Sequence, residues 1–372
     1  MTSIEWTDKT WNPVRGCSRV SEGCRHCYAE ELAARFSGDG QAYEGLAHRV
    51  GGEPRWTGEV RFLPEKLDAP LRWRKPRRVF VNSMSDLFHE KVTDEQIDRV
   101  FAVMALAKRH TFQILTKRPG RMRRYLTDPV DARWGSSTLP PRRDCAVWAA
   151  ARRQLNGTGK DIYAEIEMPV HGVGPAGIGI KAWPLPNVEL GVSVEDQATA
   201  DERIPELLRC PAAMRWVSYE PALGPVDFSA WLPATWRCPA CRRGTEKPAW
   251  VGIGTAALCP TCDERLDAEG CAGGLDGIVV GGESGPKARP FDVEWARDVV
   301  AQCRFAGAPV FVKQLGAWPV LCAGGLRLPP PPLVERLPKL QLRHPKGGDP
   351  AEWPEDLRVR EWPAAADAEV AL

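Results

Sequence analysis

The sequence predicts an α/β fold, a full or partial (β/α) barrel, and two observations carry that expectation. Short apolar runs that read as buried strands alternate with segments of helical periodicity. The runs end in polar residues, as barrel strands do at the carboxyl ends where active sites are built. A doubly wound open sheet satisfies the same alternation. A third observation sets a small insert apart from this frame: two C-x2-C pairs late in the chain.

Taken in order, a first strand precedes Cys17, and Cys27 to Arg35 has helical composition. Residues 37–60 are Gly-rich and read as loop. The next strand is Arg78-Val-Phe-Val-Asn82, leading to Ser83, Asp86 and His89. Thr93, with Gln96 three residues on, opens a helix in capping-box fashion, and Ile97, Val100, Phe101 and Met104 mark its buried face. Thr111-Phe-Gln-Ile-Leu115 runs into Thr116, Lys117 and Arg118, and Pro119 suits the first turn of a helix. The pattern resumes at Asn187–Val194, followed by a helix to about Leu208. Strands at Met214–Ser218, Gly277–Val280 and Pro309–Val312 complete it, with a helix from about Val293 to Phe305 ended by Gly307.

The richest stretch runs from Thr10 to Glu30 and holds Cys17, Cys24 and Cys27 in a C-x6-C-x2-C spacing. Clustered thiolates select iron–sulfur clusters or zinc. A structural zinc ordinarily takes four protein ligands, and no fourth cysteine stands nearby. Three thiolates on a cubane cluster leave one iron open to a small molecule. The start of a helix at Cys27 suits an anionic ligand, because the helix dipole favours negative charge there.

This loop resembles that of the radical S-adenosylmethionine (radical SAM) enzymes, whose usual spacing is C-x3-C-x2-C; here the first gap is six. The chain is more closely similar to the three-Cys-motif phage-protein family, a radical-SAM-like group. The resemblance rests on Glu5–Pro13, Asp86–Glu90, Leu115–Pro119, Leu190–Glu195, Gly281–Gly285 and Lys313-Gln314. It implies a 4Fe–4S cluster on Cys17, Cys24 and Cys27, with S-adenosylmethionine on the open iron. Reductive cleavage would then give a 5′-deoxyadenosyl radical that abstracts hydrogen from a substrate. His26 stands where that superfamily often sets an aromatic residue against adenine. Gly281, Gly282 and Glu283 are similar to its Gly-Gly-Glu strand end, though they come late in the chain. Ser193, Glu195, Glu220, Lys117 and Lys313 at other strand ends are cofactor or substrate contacts, or salt-bridged rim residues. An electron donor such as a flavodoxin or ferredoxin and a protein partner encoded nearby are implied. Substrate, reaction and catalytic residues stay open. The rival is a non-catalytic, phage-related metal-binding or nucleic-acid-binding accessory protein with zinc or a structural Fe–S centre.

Cys238, Cys241, Cys259 and Cys262 form two C-x2-C knuckles seventeen residues apart, a zinc-ribbon-like pattern. A rubredoxin-like iron would use the same ligands. The domain reading is therefore a barrel over 1–228 and 276–323, with an insertion at about 128–186. The zinc-ribbon-like insert occupies 229–275, and 324–372 is a Pro-rich, acidic tail, partly docked. Cys145, Cys210, Cys271, Cys303 and Cys322 lack paired spacing; buried thiols are expected for most of them, and a spare or alternative ligand for the insert is the other reading of Cys271.

Composition is globular, at 43% hydrophobic, and no apolar run reaches the eighteen residues of a membrane span. The start of the chain lacks a signal-peptide pattern, and the clustered cysteines suit a reducing compartment, so a cytoplasmic protein is expected. The net charge of +2 hides an asymmetry: residues 61–160 hold 22 Lys and Arg against 10 Asp and Glu. Two basic segments there, 72–78 and 117–124, make nucleic acid a candidate partner. A solvated arginine-rich surface fits the same composition.

Overall fold

Parallel strands need crossover connections, and in this chain helices supply several of them. The computed structural model describes residues 4–128, 143–155, 183–232, 236–237, 244–245, 257–258, 265–266, 274–322, 328–329 and 332–362. The chain divides into two units, residues 1–194, 210–214 and 365–372 in one and residues 195–209 and 215–364 in the other.

In the first unit four strands pair in sequence order, all parallel: β1 (Lys9–Trp11), β2 (Arg78–Val81), β3 (Thr111–Thr116) and β4 (Val188–Val194). The register sets Trp11 beside Val81, Val81 beside Ile114, and Ile114 beside Leu190, all buried. Every residue of β4 is buried, as expected of a parallel strand covered on both faces. Helix α1 (Tyr28–Arg35) follows the cysteine loop, α2 (Asp94–Leu106) joins β2 to β3, and α3 (Pro119–Thr127) and α4 (Arg143–Leu155) follow β3. Thr93 caps α2 as its spacing predicts: its hydroxyl accepts from the Gln96 N–H, and the Gln96 side chain accepts from the Thr93 N–H. Ile97, Val100, Phe101 and Met104 are all buried. Asp98, buried on the same helix, accepts the Tyr125 hydroxyl of α3 at 2.8 Å, which satisfies a carboxylate inside the core.

In the second unit β5 (Met214–Tyr219, from Arg215 onward in this unit), β6 (Gly277–Gly281) and β7 (Val310–Gln314) are also parallel. Helix α5 (Gln197–Leu208) precedes β5, and α6 (Val293–Ala306) lies between β6 and β7. Asp292 caps α6 through the Glu294 N–H, and Gly307 ends it in the left-handed conformation, φ 65°. Part of the tail docks along β7: Val312 N–H donates to Val359 O at 2.9 Å, and Glu361 N–H to Val310 O at 3.0 Å. Trp353 and Leu357 are buried, and the Trp362 ring meets Trp216 edge-on.

The fold is thus mixed α/β with parallel strands, and all seven strands expected from the sequence, the first included, are present. One expectation needs correction. The Gly-rich stretch 37–60 holds an antiparallel hairpin, Ala47–Val50 with Glu53–Trp56. Gly51 and Gly52 turn it with φ of 55° and 83°, the pair of positive values that a two-residue hairpin of the I′ kind demands. Two further strand pairs lie in the four-cysteine insert, Trp236–Arg237 with Gly244–Thr245 and Ala257–Leu258 with Arg265–Leu266. Cys238, Cys241, Cys259, Cys262 and Cys271 lie outside the described residues, as does most of the 128–186 insertion. Among the described residues no helix is long and apolar enough to cross a membrane.

Removing the Thr93 cap tests how far α2 supports the first unit. Thr93→Ala is expected to lower unfolding free energy by about 1 kcal/mol in urea denaturation. An unchanged midpoint would mean the cap is dispensable.

Candidate metal centre

Strand β1 and the loop after β2 together hold the start of the cysteine loop. Asn82 N–H donates to Trp11 O at 2.8 Å, Ser85 Oγ to Val14 O at 3.0 Å, and Gly16 N–H to Met84 O at 3.3 Å. Gly16 has φ 91°, and a Cβ there would overlap the Glu59 carbonyl, so only glycine fits immediately before Cys17. Cys24 ends a short 3-10 turn, Glu22–Cys24, and its N–H donates to Ser21 O at 3.0 Å. Cys27 is the N-cap of α1. His26 lies half-buried on the turn between the last two cysteines.

Two ion pairs that sequence reasoning missed pin this loop. Glu30, wholly buried on α1, accepts Arg19 Nε at 2.9 and 3.1 Å, and also accepts the Trp56 N–H of the 47–56 hairpin at 2.8 Å. The second centres on Arg118, which follows β3 and is 7% exposed. Its Nε donates to Glu90 at 3.0 Å, and Nη1 donates to Asp86 at 3.1 Å. Nη2 donates to the Ser18 carbonyl at 3.1 Å and the Ser18 hydroxyl at 2.7 Å. Nη1 also lies 3.9 Å from Cys17 Sγ. Asp86 is held in turn by the Thr116 hydroxyl at 2.7 Å and the Phe88 and Lys117 N–H groups at 2.9 and 3.1 Å. The segments Asp86–Glu90 and Leu115–Pro119, distant in sequence, therefore meet at Cys17. Of the signals available, only a buried-strand run ending in Thr-Lys-Arg pointed this way.

Electrostatics follow from that enclosure. Burial, then the Asp86 carboxylate, push the Cys17 thiol up to about 12, against the pull of Arg118. Burial also raises the Cys27 thiol, while the Glu30 and Ala29 N–H groups at the helix start favour its thiolate. The three sulfurs are close enough that the charges of Cys24 and Cys27 act on Cys17. Burial and then Arg118 lower the affinity of His89 for a proton, so it is neutral near pH 7.

Among the described residues no three His, Cys, Asp or Glu side chains converge on a point that could hold one metal ion. A cluster asks for something else, because each thiolate ligates its own iron. The donor set fits that demand: three thiols on one loop, a helix start at one and a buried guanidinium at another.

The remaining expected residues have other partners. Ser193 is buried in β4. Glu195 pairs with Arg203 at 3.1 and 3.2 Å. In the second unit Glu283 is gripped by Arg289 through Nε at 3.0 Å and Nη2 at 2.9 Å. Lys313 pairs with Glu220 at 2.9 Å. The room left by Gly281 and Gly282 is filled by the protein: added Cβ atoms would lie 2.7 Å from Glu220 Oε1 and from Leu315 O.

The two basic segments differ. In 117–124, Arg118 is buried, Arg121 pairs with Asp94, and Met122 is buried. In 72–78, Arg72, Arg74, Lys75 and Arg77 are exposed. A cavity of about 290 Å³ beside this segment is lined by Arg15, Tyr43, Lys66, Arg72 and Trp73 among others.

In metal-free protein, iodoacetamide is expected to label Cys17 slowly at pH 8. The rate should still climb about tenfold per pH unit at pH 10, since the thiolate is scarce below the raised value. A rate that levels off by about pH 10 would show an ordinary, accessible thiol.

No curated protein and no solved structure matches the chain. A family profile does, over residues 1–343, which is most of the chain. The chain therefore belongs to the family described as "Protein of unknown function (DUF5131)".

Proposed function

We propose that the protein is a radical-SAM-like iron–sulfur enzyme that cleaves S-adenosylmethionine reductively, with Cys17, Cys24 and Cys27 holding a 4Fe–4S cluster on a partial-barrel α/β frame. The observation that carries this is the three-thiol loop built onto the start of α1, with the Arg118 guanidinium buried against Cys17. When bound, such a cluster supplies the electron that breaks the sulfonium bond. The chain does the rest: Glu30 and Arg118 fix the loop, Gly16 sets its entry, and α1 presents N–H groups to Cys27. A flavodoxin or ferredoxin would serve as electron donor. Zinc on Cys238, Cys241, Cys259 and Cys262 belongs to the same proposal. Its support is that each described strand pair of the insert brackets six residues opening with Cys-Pro-x-Cys.

Electron paramagnetic resonance of anaerobic, dithionite-reduced protein tests this reading. The expected result is a cluster signal that shifts on adding S-adenosylmethionine and disappears when Cys17, Cys24 and Cys27 are all replaced by Ala. A silent spectrum after reconstitution, with zinc alone in the metal analysis, would leave a metal-braced binding protein instead.

Nucleic acid is the substrate or partner class we favour, on the exposed cations of 72–78 and the adjoining cavity. Cations there would meet phosphates, and the half-buried Trp73 at the cavity edge would be the nearest ring to a base. Replacing Arg74, Lys75 and Arg77 together by Glu should weaken binding of single-stranded RNA. The salt slope should fall by roughly 0.7 for each phosphate that is no longer neutralised. Unchanged affinity at low salt would remove this surface from the reading.

A further inference from the structure

The hydrogens around Ser18 can be assigned from their partners. His89 Nδ1 accepts the Lys91 N–H at 3.2 Å, so the neutral ring carries its hydrogen on Nε2. That nitrogen lies 3.0 Å from Ser18 Oγ and donates to it. Arg118 Nη2 donates to the same oxygen at 2.7 Å. Two donors fill both lone pairs of the hydroxyl, which leaves its own hydrogen free to donate away from His89 and Arg118. The preceding residue is Cys17.

Arg118 is similarly committed. Nε is held by Glu90, Nη2 by Ser18, and Nη1 by Asp86 and Cys17 Sγ. Charge cannot leave this array, since a guanidinium does not deprotonate in proteins. Cys17 thus sits beside a permanent positive charge and N–H donor, and the hydroxyl of the adjacent residue holds that guanidinium in place. Among the described residues, neither Cys24 nor Cys27 has a cation at hydrogen-bonding distance from its sulfur.

We propose that Arg118 is the positioning residue that sets the reduction potential of the metal centre, with Ser18 and His89 as its support. This rests on the reading that Cys17, Cys24 and Cys27 hold the cluster. Reduction places extra negative charge on the cluster and its thiolates. A fixed cation and N–H donor at one sulfur stabilise that reduced state, and so raise the potential.

The test is a redox titration followed by electron paramagnetic resonance on full-length protein, with iron and sulfide content measured beside it. The expected outcome for Arg118→Gln is a potential shifted to a more negative value, with a smaller negative shift for Arg118→Lys, which keeps charge but loses the fork. Ser18→Ala removes the oxygen that holds Arg118 Nη2 while leaving the Asp86 and Glu90 pairs in place, so it decides the matter should the Arg118 variants fail to fold. It too should shift negative at unchanged iron content. Equal potentials in wild type and Arg118→Gln at equal iron content, or in wild type and Ser18→Ala where the Arg118 variants do not fold, would overturn the inference while the cluster reading stands. A wild type that assembles no cluster would overturn both.

Discussion

Everything about the candidate centre depends on one buried ion pair, Arg118 with Asp86. Taking both charges out of water costs several kcal/mol per ion, and their attraction offsets that only where every remaining donor and acceptor is satisfied. Here that condition is met. Asp86 accepts from Thr116, Phe88, Lys117 and Arg118, and Arg118 donates to three further residues. An arrangement so demanding has one geometry, and that geometry fixes Ser18 and therefore Cys17. The ends of β2 and β3 are parallel neighbours, so sheet register sets the frame on which the pair is built.

Glu30 does the same for the other end of the loop. Its carboxylate is wholly buried, and it binds Arg19, eleven residues earlier, and the backbone of Trp56, twenty-six later. A carboxylate in the first turn of α1 also favours the positive end of the helix dipole. The loop between Cys17 and Cys27 is thus held from two sides by ion pairs whose central residues, Glu30, Asp86 and Arg118, are buried.

What the sequence disclosed, and what it hid, follows from range. Strands and helices are set by near neighbours, so the apolar runs at 78–82, 111–115 and 277–280, the Thr93 cap and the Gly307 stop were all legible. The Gly51-Gly52 hairpin was legible in principle, because a glycine pair is a turn signal, but its strands lack the apolar alternation that announces a hairpin. Glu30 and Arg118 were not legible. Each is an ordinary charged residue by spacing, and its burial depends on partners from eleven to about a hundred positions away.

The two basic segments make that point most sharply, because their compositions are alike and their fates differ. Arg72–Arg78 leads into β2, at the end of the strand away from the cysteine loop, and Arg74, Lys75 and Arg77 face water. Lys117–Arg124 follows β3, at the end where Asp86 and Cys17 lie, and its first arginine is drawn inward. Arg74, Lys75 and Arg77 at the entrance of a strand stay exposed, whereas Arg118 at the exit of its neighbour meets the carboxylate and thiol that the fold has already placed there. The environment of Arg118 is therefore set by the strand end it follows, and local composition carries no record of that.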